Sequence, residues 1–291
     1  MTYQNYAFNE QQVYISGEQL PGVESLSTTL EQPEDDLLSM GFTNVVGTAP
    51  DGFVNGEISV NSFLVTPRDI LTGCFENGVS GHVRYGEGAY IFQTGLISSY
   101  SCTCALNEVP NLDFSLSTWG KVGGASGIFQ PGPETPHPEE LVLPSDGDIE
   151  IQITDCQGGH TLDLTTNAVR EFEYNIDIEW EPISTLGSSE PQGFMVRYPV
   201  RVETIVTLEL NDFLPPDFKE AVCQSINKKI VLSVYNCSAT CGNERELIRT
   251  FRMPAGKLLE YNSFSDMDDV LVAELVFVSK ITSIAALSSL F

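Results

Sequence analysis

The stretch "YSCTCALNEVPNLDFSL", residues 100 to 116, returns in altered form as "YNSFSDMDDVLVAELVF", residues 261 to 277. At the constant offset of 161 that separates Tyr100 from Tyr261, Leu106 falls on Met267 and Asp113 on Glu274. Asn107, Glu108 and Val109 fall on Asp268, Asp269 and Val270, and Leu116 on Phe277. Both copies end in alternation: Leu112, Phe114 and Leu116 interleave with Asp113, Ser115 and Ser117, while Ala273, Leu275 and Phe277 flank Glu274. A period of two marks a strand with one apolar and one wet face. The repeat therefore preserves a pleat, including one acidic position on the side away from the core.

The copy extends upstream with shorter offsets. At 149, Pro67, Ile70 and Cys74 fall on Pro216, Lys219 and Cys223; at 146, Val23, Leu26, Leu30 and Gly41 fall on Val169, Phe172, Ile176 and Gly187. Offsets that grow in chain order are the mark of a tandem duplication with loop insertions. The last insertion is the "CSATCGNERE" loop, and a Gly-, Pro- and acid-rich run at 120–148 suits a crossing segment. The predicted organisation is a mainly β chain with a first unit at 1–124, a linker at 125–147 and a second unit at 148–291. Each unit reads as strand, long loop, strand, short helix, strand, turn, strand, strand. "TPRDILTGCFENG" supplies the helix of the first unit, with Thr66 as N-cap, Pro67 at N1, Asp69 at N3, and Ile70 and Cys74 four apart before Gly78. "PPDFKEAVCQSINKK" predicts a matching helix in the second unit. "RVETIVTLEL" sets Val202, Thr204, Val206, Leu208 and Leu210 against Arg201, Glu203, Thr207 and Glu209, and "GEGAY" (86–90) reads as a hairpin turn.

Composition narrows the functions. The 291 residues carry 40 acidic and 14 basic side chains, a net charge of −26. Such a surface repels phosphate and anionic lipid, which argues against sequence-specific nucleic-acid binding and against a membrane partner. No apolar run reaches spanning length, and "MTYQNYAFNEQQ" has neither a basic nor an apolar leader segment, so no transmembrane or secretory segment is expected. Seven cysteines without a regular framework read as mostly buried thiols in a reducing compartment; Cys237 and Cys241 are the one local pair, open to a disulfide or to half of a zinc site. Catalysis needs converging titratable groups. His82, His137 and His160 are the whole histidine supply, and neither "GVSGH" nor "GGASG" fits a nucleophile elbow. No catalytic residue, cofactor or metal is predicted, and the acidic runs "EQPEDD" (31–36) and "DMDD" (266–269) read as solvated turns.

The segments "FNEQQVYISGEQLPGVESLSTTLEQPEDDLLSMGF", "NGVSGHVRYGEGAYIFQTGLISSYSCTCALNEVPNLDFSLSTWGKVGG" and "FEYNIDIEWEPISTLGSSEPQGFMVRYPVRVETIVTLEL" resemble the duplicated tail tube (major tail) proteins of tailed bacteriophages. The likeness spans nearly the whole chain, departing at the "PETPHPEE" linker and the "CSATCGNERE" insertion. The resemblance implies tandem β-sandwich or barrel units, each flanked by one short α-helix, whose sheets join those of neighbours into an inner barrel. Six units would form a ring, so two-unit chains would need three copies. Homotrimeric rings would stack into a tube in the virion tail after assembly in the host cytoplasm. Implied partners are the tape measure, the tail tip or baseplate and the terminator, with DNA in transient, non-specific passage.

On that reading Asp113 and Glu274 are equivalent lumen-facing candidates, followed by Glu24, Glu203 and Glu209. Alternation identifies the wet side of a strand but not which wet side it is, so an outer-surface position stays open for all five. Inter-ring contact candidates are Tyr3, Tyr6 and Phe8 in the N-terminal arm, Phe53 in the long loop 43–57, and Phe194 and Met195 in the loop 188–198; the alternative for these aromatics is a local core plug. The competing function is a non-polymerising tandem β-sandwich binding module, such as an adhesin, a capsid decoration or a tail-tip component.

Overall fold

Alternation in the sequence becomes alternation in burial: along Val200–Glu209 the side chains of Val200, Val202, Thr204, Val206 and Leu208 are buried and those between them face outward. Leu112, Phe114 and Leu116 are buried in the same way, as are Ala273, Leu275 and Phe277. The computed structural model describes residues 11–38, 45–50, 52–64, 71–75, 78–85, 88–119, 123–124, 143–156, 164–185, 188, 190–209, 227–236, 246–264 and 271–290. The chain is mainly β, with antiparallel sheets throughout.

The first half contributes β1 (Gln11–Ile15), β2 (Glu18–Gln19), β3 (Val23–Glu31), β4 (Glu34–Leu38), β5 (Val45–Pro50), β6 (Asn55–Phe63), β7 (Val79–Tyr85), β8 (Gly88–Ala105), β9 (Asn111–Trp119) and β10 (Gly123–Gly124). The second contributes β11 (Ile149–Asp155), β12 (Leu164–Thr166), β13 (Val169–Asp177), β14 (Trp180–Ile183), β15 (Gly193–Val196), β16 (Val200–Glu209), β17 (Asn227–Asn236), β18 (Glu246–Phe264) and β19 (Val272–Ile281). In each half four strands form a wall: β3-β6-β9-β8 in the first and β13-β16-β19-β18 in the second. The long strands β8 and β18 then turn a corner. Their N-terminal parts pair with β7 and β17, which continue to β1 and β11 as a second layer over the wall. The core lies between the layers, with Ile97, Phe114 and Phe172 from the walls and Val13, Val83, Ile151 and Leu232 from the covers.

The duplication is written in the hydrogen-bond registers. Ser25 pairs with Asn61 and Glu171 with Thr207, both shifted by 146, and each follows a bulge at the same place, after Val23 and after Val169. Bulges also recur between Ile97 and Ser99 and between Leu258 and Glu260, at offset 161. A third pair follows Val79 opposite Gly95 and Lys228 opposite Gly256. Bulges bend a strand and re-aim it, so their recurrence means that both walls curve alike. The pairing of Gln11 with Tyr85 recurs as Ile149 with Val234, which adds an offset of 138 for the first strand.

The two halves join: β8 pairs with β13, so 15 of the described strands belong to one sheet, the kind of junction between units that the resemblance implies. Other expectations change. Thr72–Phe75 is a 3-10 turn; residues 65–70 and the matching segment 210–226 lie outside the described residues. A helix not expected from the sequence, α1 (Ile284–Ser288), is capped by Ser283, whose Oγ accepts from the Ala286 amide at 3.3 Å. The supposed loops at 43–57 and 188–198 hold strands of two hairpins, β4-β5 and β14-β15, and of the "EQPEDD" acids Glu31 ends β3 while Glu34, Asp35 and Asp36 lie within β4. "GEGAY" is a hairpin, closed by Tyr85 opposite Gly88. Residues 125–142 of the linker lie outside the described residues; Pro144 already packs in, its carbonyl accepting from the Asn107 amide at 2.8 Å.

Candidate assembly surface

Three features of the wall bear on function: its joined seam, its open edges and its uncovered face. At the seam, Phe172, Tyr174 and Ile176 of β13 lie opposite Cys104, Cys102 and Tyr100 of β8, and every one of the six is at most 1% exposed. Tyr174 closes the layer beneath by donating from its hydroxyl to the Arg252 carbonyl at 2.8 Å, with its ring 5.2 Å from Phe251. Burial pushes the Cys102 thiol up to about 12 and likewise raises Cys104 and Tyr174 well above their ordinary values, which disfavours the thiolate and phenolate forms near neutrality.

The strands equivalent to those at the seam are open. Among the described residues β3 pairs only with β6, and the segment of β18 after its bulge pairs only with β19. Shifting by 146 maps β13 onto β3, and shifting by 161 maps the seam portion of β8 onto β18 from Glu260 onward. Ile176 is 1% exposed; its counterpart Leu30 is 53% exposed. The chain thus displays at its two ends the halves of a joint that it has already made once in its middle.

Among the described residues the face of the wall away from the core is covered at its β8-β9 end, where hairpin β14-β15 lies on Leu96 and Trp119, and is otherwise open across the seam. Asn61, Asp113, Ser101, Asn175 and Glu203 stand directly opposite one another from β6 to β16, and Glu171, Thr207, Glu274 and Asn262 do so from β13 to β18. Asn262 donates to Glu274 at 3.2 Å. Two depressions hollow this face, about 490 Å³ bordered by Ser27, Ser59, Ser99 and Asp113, and about 690 Å³ bordered by Arg170, Glu171, Glu209 and Glu274. Asp113 and Glu274 occupy equivalent places on it, and Glu203 and Glu209 share it. Glu209 is ion-paired with Arg170 at 2.6 Å. Glu24 sits at the β3 bulge, where the second half has Arg170. Glu57, Glu171, Glu173 and Asp177 also lie on this face; the alternation in "VREFEYNID" carries the signal for the last three.

Of the inter-ring candidates, Phe194 is engaged within the chain, its ring 4.8 Å from Trp119. Met195 is 53% exposed, Phe53 is half-buried, and Tyr3, Tyr6 and Phe8 lie outside the described residues, as do Cys237, Cys241, His137 and His160. His82 is buried in β7, stacked on Tyr14 at 4.4 Å, with its pKa lowered to about 4 by burial and then by Arg84. Among the described residues no group of three or more His, Cys, Asp or Glu side chains is placed to hold a metal ion.

No protein-family model matches the chain, and no curated protein matches its sequence. Among solved structures it is similar to the Hcp protein, seen in a crystal structure, at 12% identity and a TM-score of 0.26, over 45% of this chain and 89% of that one. A superposition that loose establishes no shared role.

Proposed function

We propose that the protein is a structural subunit that polymerises head to tail, three two-unit chains closing each ring and rings stacking into a tail tube. The observation that supports this most is the pair of open wall edges equivalent to the two already joined at β8-β13. Joining unlike edges is a heterologous contact, which yields rings where the rotation closes. Ring closure would also remove both exposed edges, a liability in a free subunit. The hollowed polar face would line the channel. Its Asp and Glu side chains offer phosphate no counterion-release gain, so DNA would pass without sticking. The site of action on this reading is the tail of a virion.

Sedimentation velocity of the purified chain over a concentration series, with negative-stain microscopy, tests the reading. Rings or hollow filaments are expected. A species that stays a single chain at every concentration overturns it in favour of the non-polymerising binding module.

A further inference from the structure

The seam inside the chain includes a second contact besides strand pairing. Hairpin β14-β15 leaves β13 and folds back over the first-half wall. The Ile178 amide donates to the Ser98 carbonyl at 2.8 Å, Trp180 Nε1 donates to the Ile97 carbonyl at 2.6 Å, and Phe194 packs on Trp119. Trp180 and Pro182 are two apart on β14 and so share a hairpin face, with Pro182 directly opposite Phe194. On the wall, Leu96 lies opposite Ser117, two residues before Trp119, which sets Leu96 and Trp119 on one face; they are 1% and 7% exposed. This clamp is apolar on both sides.

Hairpin β4-β5 is its counterpart in the first half, in identical register: Glu34 opposite Pro50 where the other has Trp180 opposite Val196. Shifted by 146, Trp180 becomes Glu34 and Pro182 becomes Asp36; shifted by 161, Leu96 becomes Lys257 and Trp119 becomes Lys280. All four replacements are exposed, and neither lysine makes an ion pair among the described residues. Four apolar positions have become two acids on one side and two bases on the other, in a chain with only 14 basic residues.

We propose that hairpin β4-β5 of one chain docks on the second-half wall of the next copy as an ionic clamp, Glu34 and Asp36 meeting Lys257 and Lys280. This rests on the head-to-tail reading for the existence of the neighbouring copy. The same shift sets the Gln32 amide against the Leu259 carbonyl, in place of Ile178 and Ser98. It also sets Glu31 opposite Glu260, a like-charge pair that the lysines offset. The seam between copies would therefore weaken with salt, while the seam within the chain would not.

The test compares self-association of the wild type with Lys257→Glu/Lys280→Glu, with Glu34→Lys/Asp36→Lys, and with the chain carrying all four changes. Circular dichroism and melting of each variant serve as the folding control; exposed positions leave both near wild type. Each reversal is expected to weaken association about tenfold or more, and the fourfold exchange to restore it to within about threefold. If the wild type assembles and either reversal assembles equally well, or if the fourfold exchange fails to recover, the clamp is wrong and the head-to-tail reading stands. If the wild type never assembles, both fall together.

Discussion

A single substitution made at two equivalent positions separates folding from assembly. Leu30 and Ile176 occupy the same place in β3 and β13, 53% and 1% exposed. Pairing of β3 with a neighbouring chain would bring Leu30 to the burial of Ile176, removing about half of its surface from water. At roughly 1.5 to 3 kcal/mol for a fully buried aliphatic side chain, that is worth about 1 to 1.5 kcal/mol per junction. Leu30→Asp loses this contribution and adds the cost of desolvating a carboxylate at the joint, several kcal/mol more. Association should weaken by about 100-fold or more, while melting of the free subunit stays near wild type because the position is half in water already. Ile176→Asp should do the reverse, lowering the stability of the free chain by about 4 kcal/mol or more, since its carboxylate enters a closed core. Sedimentation velocity reads the first effect and thermal or denaturant unfolding the second. A Leu30→Asp chain that assembles with wild-type concentration dependence would refute the equivalence of the two joints.

Three further outcomes test the interior. His82, whose folded pKa of about 4 lies below the ordinary 6.5, binds its proton more readily when unfolded, so its contribution to stability is complete above pH 6.5 and lost as pH falls toward 4. His82→Phe keeps the ring on Tyr14 and should flatten the slope across that window by about 1 to 2 kcal/mol, less than the full shift implies because solvent screens the site; parallel wild-type and variant curves would count against it. A Cβ on Gly56 would overlap Tyr90 Oη and stand 2.8 Å from Thr118 Oγ1 and 2.9 Å from the Thr29 carbonyl. Gly56→Val should cost about 2 to 3 kcal/mol, part of it recovered by Tyr90→Phe, because the second half carries Val202 with Phe251 at the matching places; equal melting of single and double variants would refute that pairing. Alkylation followed by peptide mapping should label exposed Cys156 in the native chain and leave Cys102 and Cys104 untouched until unfolding.

The pleats and the doubling were legible because both are written in residue type. Phe172, Tyr174 and Ile176 alternate with acids whether or not their partners are known, and Asp113 and Glu274 keep one sign at one offset. The resemblance implied joined sheets but not which strands join, since pairing of β8 with β13 leaves no local mark beyond apolar residues that any core would explain. "QQVYI" and "IEIQI" are too dissimilar to reveal the offset of 138, which appears only in their pairings with β7 and β17. The hairpins hid behind the Gly and Pro of "VVGTAP" and "EPI", residues that signal loops and here sit in short strands outside the main sheet. Lys257 and Lys280 carry no meaning singly; they gain one only when the wall is laid over its own copy.

On the head-to-tail reading the two seams would face different solubility problems, which would give a physical reason for their divergence. Trp119 packs on Phe194 and Trp180 donates to the Ile97 carbonyl within one chain, so much of their apolar surface leaves water as the chain folds. A seam between chains must stay exposed until a neighbour arrives, and a Trp-Phe-Leu patch there would invite indiscriminate association. Carboxylates and ammonium groups at the same four positions would keep a free subunit soluble and steer the proposed encounter. Glu31, Ser27 and Thr29 on the polar face of β3 blunt that open edge in the same sense. Duplication would free the two copies of one joint to change separately, so that the inner joint could be tuned for permanence and the proposed outer one for controlled, salt-sensitive closure.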